Sequence, residues 1–367
     1  MTQPDVVTRH QEAVEAALQT TVRGRPDPLY RMMEYQMGWV DEGGSPVSPS
    51  MMRAYPALCL GICEALGGVV ETAMPAAVAV ELLYQFTRVH DDIQEGTPDH
   101  GPRPSVWWVW GPAQAINAGD ALHVLARLSL FGMGIQGIST DQVLAATKVM
   151  DGASLDLFEG QHQDLQIQGQ VAVSQGSYLE MAERRAGALI GCAAQLGALI
   201  AGADESIQEH CKEAGRKLGL ALHLQHDINE IWDTAATGSP VAIVRKSFPV
   251  VYAIETAPVS VKREIGTLFA TRVVDPKDLP RLAELLDDAG ARQHSIDATG
   301  AAQAGFLASL KALECSQDRW QSSRVLLSIS SNTERQEPDP HPCRNRRSKT
   351  SMFRASVSWC VWTSTSP

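Results

Sequence analysis

Val89-His90-Asp91-Asp92-Ile93-Gln94-Glu95 closes a long apolar run, and its three carboxylates fall at i, i+1 and i+4. On a continuing helix Asp91 and Glu95 share one face and Asp92 lies beside it. Acids crowded in this way repel one another, so a cation is expected between them. Donors that are oxygen alone suit Mg²⁺, which takes one or two protein carboxylates and fills its shell with water and phosphate oxygen. A solvated acidic helix end would give the same letters. A further acidic group far downstream, His226-Asp227-Ile228-Asn229-Glu230-Ile231-Trp232-Asp233, is again embedded in a helical apolar run and favours the metal reading.

Outward from these two stretches the chain reads as helix after helix. Apolar spacing predicts helices over about Val6 to Thr21, Leu29 to Val40, Met51 to Leu66 and Ala76 to Glu95. Gly67-Gly68 stops the third, and Gly96 to Pro104 is expected to be an irregular loop. Further helices are expected over Ala113 to Phe131, Thr140 to Gly160, Tyr178 to Ala203, Glu205 to Asp233, Phe248 to Arg272 and Asp278 to Cys315. From Ser316 to Pro367 Ser and Arg dominate and periodicity is lost, so this stretch is expected to be a disordered tail. The expected organisation is one all-α domain over residues 1–315 and a tail over 316–367, with roughly ten or more helices.

Composition narrows the function. The chain of 367 residues carries a net charge of -11, which argues against a nucleic-acid partner. An anionic substrate would therefore need metal or local Arg and Lys. The seven cysteines show no CxxC pairing, and Cys59 and Cys63 at i, i+4 read as buried thiols of a reducing, cytoplasmic protein. The start lacks a signal-peptide core. Gly187 to Ala203, the most apolar window, is short and broken by Gln195, which favours a buried helix over a membrane span.

Taken together, the two acidic groups resemble those of the isoprenyl diphosphate synthase family, the polyprenyl synthetases. The words Pro56-Ala57-Leu58-Cys59-Leu60, Ala118-Gly119-Asp120-Ala121-Leu122, Glu159-Gly160-Gln161 and Gly219-Leu220-Ala221 are also similar to the family's. The resemblance covers roughly residues 25 to 315 and implies a helical bundle around a central apolar cavity. In the family, Asp-Asp-x-x-Asp motifs on two facing helices hold Mg²⁺ ions, three of them together with the substrate, against an allylic diphosphate. Carried over, Asp91, Asp92, Glu95, Asp227 and Glu230 become metal ligands, with Asp91, Asp92 and Asp227 the catalytic acids. Arg185 stands at the family's lysine position, Lys246 at another basic position, and Arg103 and Gln161 also belong to the substrate-binding set. A homodimer is implied.

Departures from the family pattern direct the finer reading. The family binds its other substrate, isopentenyl diphosphate, with a Gly-Lys-Arg-x-Arg-Pro loop. The stretch here reads Met51-Met52-Arg53-Ala54-Tyr55-Pro56, with Arg53 the surviving cation and a candidate diphosphate contact. Tyr84 replaces the family's histidine, and His100-Gly101 its Arg-Arg pair. Each lost charge-assisted bond costs about 1.5–3 kcal/mol. The expectation is thus a class I terpene synthase that ionises one allylic diphosphate, farnesyl or geranylgeranyl, and then cyclises it or eliminates a proton. The alternatives are a chain-elongating farnesyl or geranylgeranyl diphosphate synthase, or a non-catalytic partner subunit. Phe86, about one turn below Asp91, either floors the pocket or is a core ring. Asp227 and Glu230 could equally belong to an interhelical polar network.

Overall fold

The computed structural model describes residues 9–23, 28–47, 51, 53–100, 103–170, 172–237, 245–269 and 276–316. Met52, Gly101, the turn at Gly238-Ser239-Pro240 and the expected tail beyond Ser316 lie outside them. The helices are α1 (Gln11–Val22), α2 (Pro28–Gln36), α3 (Ala54–Ala65), α4 (Val70–Glu95), α5 (Val106–Trp110), α6 (Pro112–Phe131) and α7 (Thr140–Gly169). They continue with α8 (Gln175–Ile200), α9 (Glu205–Thr237), α10 (Phe248–Thr256), α11 (Val259–Leu268), α12 (Leu279–Asp288) and α13 (Ala291–Ser316). The protein is all-α, as expected. The two strands among the described residues, β1 (Asp99–His100) and β2 (Arg103–Pro104), pair antiparallel within the stretch expected to be irregular.

Differences from the expected boundaries have local causes. Helix α4 begins at Val70 and runs through Pro75, which lies close enough to the helix start to sacrifice a single backbone bond. It ends where Gly96 turns left-handed at φ 73°. The long segment expected after Phe248 divides at Ala257-Pro258, and the last one divides at Gly290, whose φ is again 73°. Helix α5 was not expected. Its start is fixed by Thr97, whose carbonyl accepts bonds from Ser105 Oγ at 2.5 Å and Trp107 Nε1 at 2.7 Å.

The described residues fall into two compact units, one drawn from 9–150 and 192–209, the other from 151–191 and 210–312. In the first, α4 packs against α3 and α6. Gly119 permits the α4–α6 approach, since a Cβ there would overlap the His90 ring. Cys59 and Cys63 are fully buried as expected, and burial pushes the Cys63 thiol up to about 11. The other unit closes around two apolar clusters, one joining Ile231 and Trp232 to Val250, Leu282 and Leu286, the other joining Tyr178 and Met181 to Leu224, Phe248 and Ala302. Residues 187 to 194 are buried, and no helix among the described residues is long and apolar enough to cross a membrane.

Candidate functional site

In the first unit the last turns of α4 carry the first acidic group. Asp92 is only 3% exposed, while Asp91 and Glu95 are partly exposed. Arg88 stands on the same face, three, four and seven residues before the acids. Burial works against its charge, but Tyr84, Asp92, Asp91 and Glu95 together hold the guanidinium pKa above its ordinary value. The helical offset of Arg88 from the acids is the signal in the sequence that marks it. Phe86 is buried, its ring 4.6 Å from that of His90 and 5.1 Å from that of His123.

Arg53 and Tyr55 belong to the stretch at which the family binds isopentenyl diphosphate. Arg53 is 2% exposed. Its Nε donates to Glu15 at 3.0 Å, Nη1 to Glu81 at 3.1 Å, and Nη2 to the Met37 carbonyl at 2.8 Å. Glu81 also accepts from Gln85 at 2.8 Å, and Gln36 donates to Gln85 at 2.9 Å. A guanidinium so enclosed, by two carboxylates and a carbonyl, carries a structural load at the start of α3. Burial raises the Glu81 pKa more than Arg53 lowers it, which marks how enclosed the pair is. Tyr55 and Tyr84, at two positions where the family has cationic or hydrogen-bonding groups, pack on each other with ring centroids 4.6 Å apart. Arg103 lies over the Tyr35 ring at 4.4 Å and donates to the Tyr35 carbonyl, so it ties β2 to α2.

In the other unit, Asp227 of α9 is 4% exposed. One of its oxygens, Oδ2, accepts both the Tyr178 hydroxyl at 2.7 Å and the Phe248 backbone N–H at 3.0 Å. His223 Nε2 lies 3.2 Å from the same hydroxyl. Burial pushes the Asp227 pKa up to about 6, against the pull of these two donors. The carboxylate thus fastens α9 to α8 and to the first turn of α10, an anion at a helix N-terminus. These bonds make Asp227 part of an interhelical polar network. Glu230, one turn on, is partly exposed.

Asp164 organises the basic residues of this unit. It is 2% exposed and takes bonds from Arg185, from Arg245 at 2.5 Å and from Gln168 at 3.0 Å. Burial would raise its pKa, but Arg185 and Arg245 hold it below the usual carboxylate range. Arg245 was missed by the sequence reading, which took the adjacent Lys246 instead. Lys246 Nζ donates to the carbonyls of Gln168 at 2.8 Å, Ile167 at 3.4 Å and Gln170. These bonds serve the C-terminal end of α7. Gln161 lies on α7 and is buried beside Gly160, whose lack of a Cβ lets α7 approach the Arg185 backbone.

Among the described residues no group of three His, Cys, Asp or Glu side chains is arranged to hold a metal ion. As chemistry, the donors of the first group nonetheless suit Mg²⁺, since they are oxygen alone and Asp91 and Glu95 reach solvent. The downstream group fits less well, because Asp227 is already committed.

The polyprenyl synthetase family model matches residues 49–286. A geranylgeranyl diphosphate synthase of Mycobacterium tuberculosis is 35% identical over 282 residues, covering 74% of this chain and 79% of that protein. A (2E,6E)-farnesyl diphosphate synthase of Mycobacterium bovis is 34% identical over 279 residues, covering 73% and 76%. The crystal structure of a polyprenyl synthetase from Streptomyces coelicolor superposes with a TM-score of 0.76 at 31% identity, covering 86% of this chain and 96% of that one.

Proposed function

Since the chain belongs to the polyprenyl synthetase family, we propose that it is a chain-elongating prenyltransferase that makes farnesyl or geranylgeranyl diphosphate. The observation that carries this reading is the identity of 35% and 34% to two short-chain synthases over about three quarters of the chain. It was an alternative of the sequence analysis, and the relatives favour it over the terpene synthase. In the reaction, the allylic carbon–oxygen bond breaks with its electron pair leaving on diphosphate. The double bond of isopentenyl diphosphate supplies the pair for the new carbon–carbon bond, and a proton is lost.

Asp91, Asp92 and Glu95 would hold Mg²⁺ in the first unit, and in the other unit Glu230 is a candidate ligand by itself. When bound, the metal neutralises the leaving diphosphate as a Lewis acid. Asp164 fixes the Arg185 and Arg245 guanidiniums, and one carboxylate facing two such groups leaves a net positive charge suited to a diphosphate. We further take the protein to act in the cytoplasm as a homodimer. The exposed apolar residues Ile116, Val124, Leu128 and Phe131 on α6 are consistent with a covered face, and sedimentation of the purified chain tests this.

A different reading is retained because a specific observation favours it. The Tyr55–Tyr84 pair and the enclosed Arg53 remove the charges expected to hold isopentenyl diphosphate. On that reading the enzyme is a class I terpene synthase acting on a single allylic diphosphate. The deciding experiment is incubation with Mg²⁺ and geranyl, farnesyl or geranylgeranyl diphosphate, each with and without radiolabelled isopentenyl diphosphate. Label in a longer prenyl diphosphate is the expected result. Hydrocarbon or alcohol from the allylic substrate alone would replace the prenyltransferase by the terpene synthase, and an inert protein would support the partner subunit.

A further inference from the structure

We propose that Arg88 is the resident counter-cation of the first acidic group: it holds Asp91, Asp92 and Glu95 together when no metal is bound, and a divalent cation binds there in competition with it. The inference rests on the reading of that group as the metal-binding one.

Helix α4 places Arg88 three residues before Asp91, four before Asp92 and seven before Glu95, so the four side chains share a face. Asp92 is the innermost acid, and a carboxylate 3% exposed cannot leave its charge to water. Arg88 is the basic residue on that face, and it interacts electrostatically with all three acids and with Tyr84 one turn earlier. Tyr84 is itself held by the Tyr55 ring, so the wall beside the guanidinium is fixed.

Three carboxylates with one guanidinium carry a net charge near -2, still attractive to a divalent cation but weaker than three bare acids. An arginine does not step aside by losing its proton. The guanidinium must swing away on its stem, or the metal must accept a fixed positive neighbour. A metal that arrives with diphosphate brings anionic oxygens to which Arg88 can turn, as planar guanidinium pairing with phosphate allows. Metal binding is therefore weak alone and strengthened by the diphosphate.

The test is Mn²⁺ titration of the full chain, read by the electron paramagnetic resonance of free Mn²⁺, with and without inorganic diphosphate. Arg88→Met, Arg88→Lys, Asp91→Asn and Asp92→Asn are compared with the unmodified protein, together with thermal midpoints in EDTA. Arg88→Met should bind Mn²⁺ alone about tenfold more tightly, since one charge is relieved. It should lose most of the strengthening by diphosphate and melt lower in EDTA, where its acids are unbalanced. Arg88→Lys should stay near the unmodified protein in all three respects. Unchanged or weaker Mn²⁺ binding by Arg88→Met, with its EDTA midpoint also unchanged, would overturn the proposal. Failure of the premise gives a different pattern: Asp91→Asn and Asp92→Asn would then both bind Mn²⁺ as the unmodified protein does, and the competition would fall with it.

Discussion

As letters the two acidic groups are much alike, yet the two units use them differently. At the end of α4, Asp91 and Glu95 reach solvent and share the field of Arg88. In α9, Asp227 is sealed beneath Tyr178 and Phe248 and accepts hydrogen bonds from both. Asp91 is thus presented to solvent, whereas Asp227 is committed to protein donors. A carboxylate already satisfied by two fixed donors gains little from a metal and would lose those bonds on moving towards one. The contrast teaches that an acidic motif should be judged by what its oxygens already touch.

Arg53 extends the contrast inside the first unit, and gives the largest expected effect on stability. It is a committed charge close in sequence to presented ones. Breaking a buried pair by removing one partner costs about 3–5 kcal/mol, so Arg53→Ala should lower unfolding free energy by that order, measured by urea denaturation. Because Glu81 would then be buried without its partner, the loss should be smaller at pH 5 than at pH 8. A loss below about 1 kcal/mol at pH 8 would return Arg53 to the presented class.

Asp227 should give a smaller effect with a definite sign. Its pKa is raised in the fold to about 6, above the ordinary carboxylate value. Below the unfolded value both states hold the proton and there is no penalty. As pH rises through the unfolded value and on towards 6, the unfolded chain releases its proton first. Stability therefore falls across this window and stays lower above it, by up to ~3 kcal/mol. In Asp227→Asn the amide oxygen can still accept from Tyr178 and Phe248, so the variant should lack this decline and match or exceed the unmodified protein at pH 7.5. Thermal midpoints measured from pH 4 to 8 check it, and parallel profiles for the two proteins would contradict it.

Much of the fold was legible because helical periodicity is a local signal. The apolar spacing around Asp91 and the glycine stops found most helices, and the glycine-rich window was correctly read as buried. Boundaries slipped where tertiary packing overrode punctuation, as at Pro75, or where a short aromatic stretch, Val106–Trp110, coiled into α5. The acids of the first group were legible, whereas Arg88, one turn away on the same helix, was not singled out. The partners of Arg53 and Asp227 were not legible, because Glu15 and Glu81 lie 38 and 28 residues from Arg53, and Tyr178 lies 49 from Asp227. Such partners are chosen by the fold. The partners of Lys246 were hidden for the same reason, the carbonyls of Gln168 and Gln170 lying 78 and 76 residues away.

The division into a presented and a committed group is tested most directly by one paired measurement, steady-state turnover and thermal midpoint of Asp91→Asn beside Asp227→Asn at saturating Mg²⁺ and pH 7.5. Asp91→Asn should lose about a thousandfold or more in kcat, ~4 kcal/mol of transition-state stabilisation, with its midpoint unchanged. Asp227→Asn should keep turnover within about tenfold while its midpoint holds or rises. A collapse of turnover in Asp227→Asn with the fold intact, or substantial turnover in Asp91→Asn, would contradict that division.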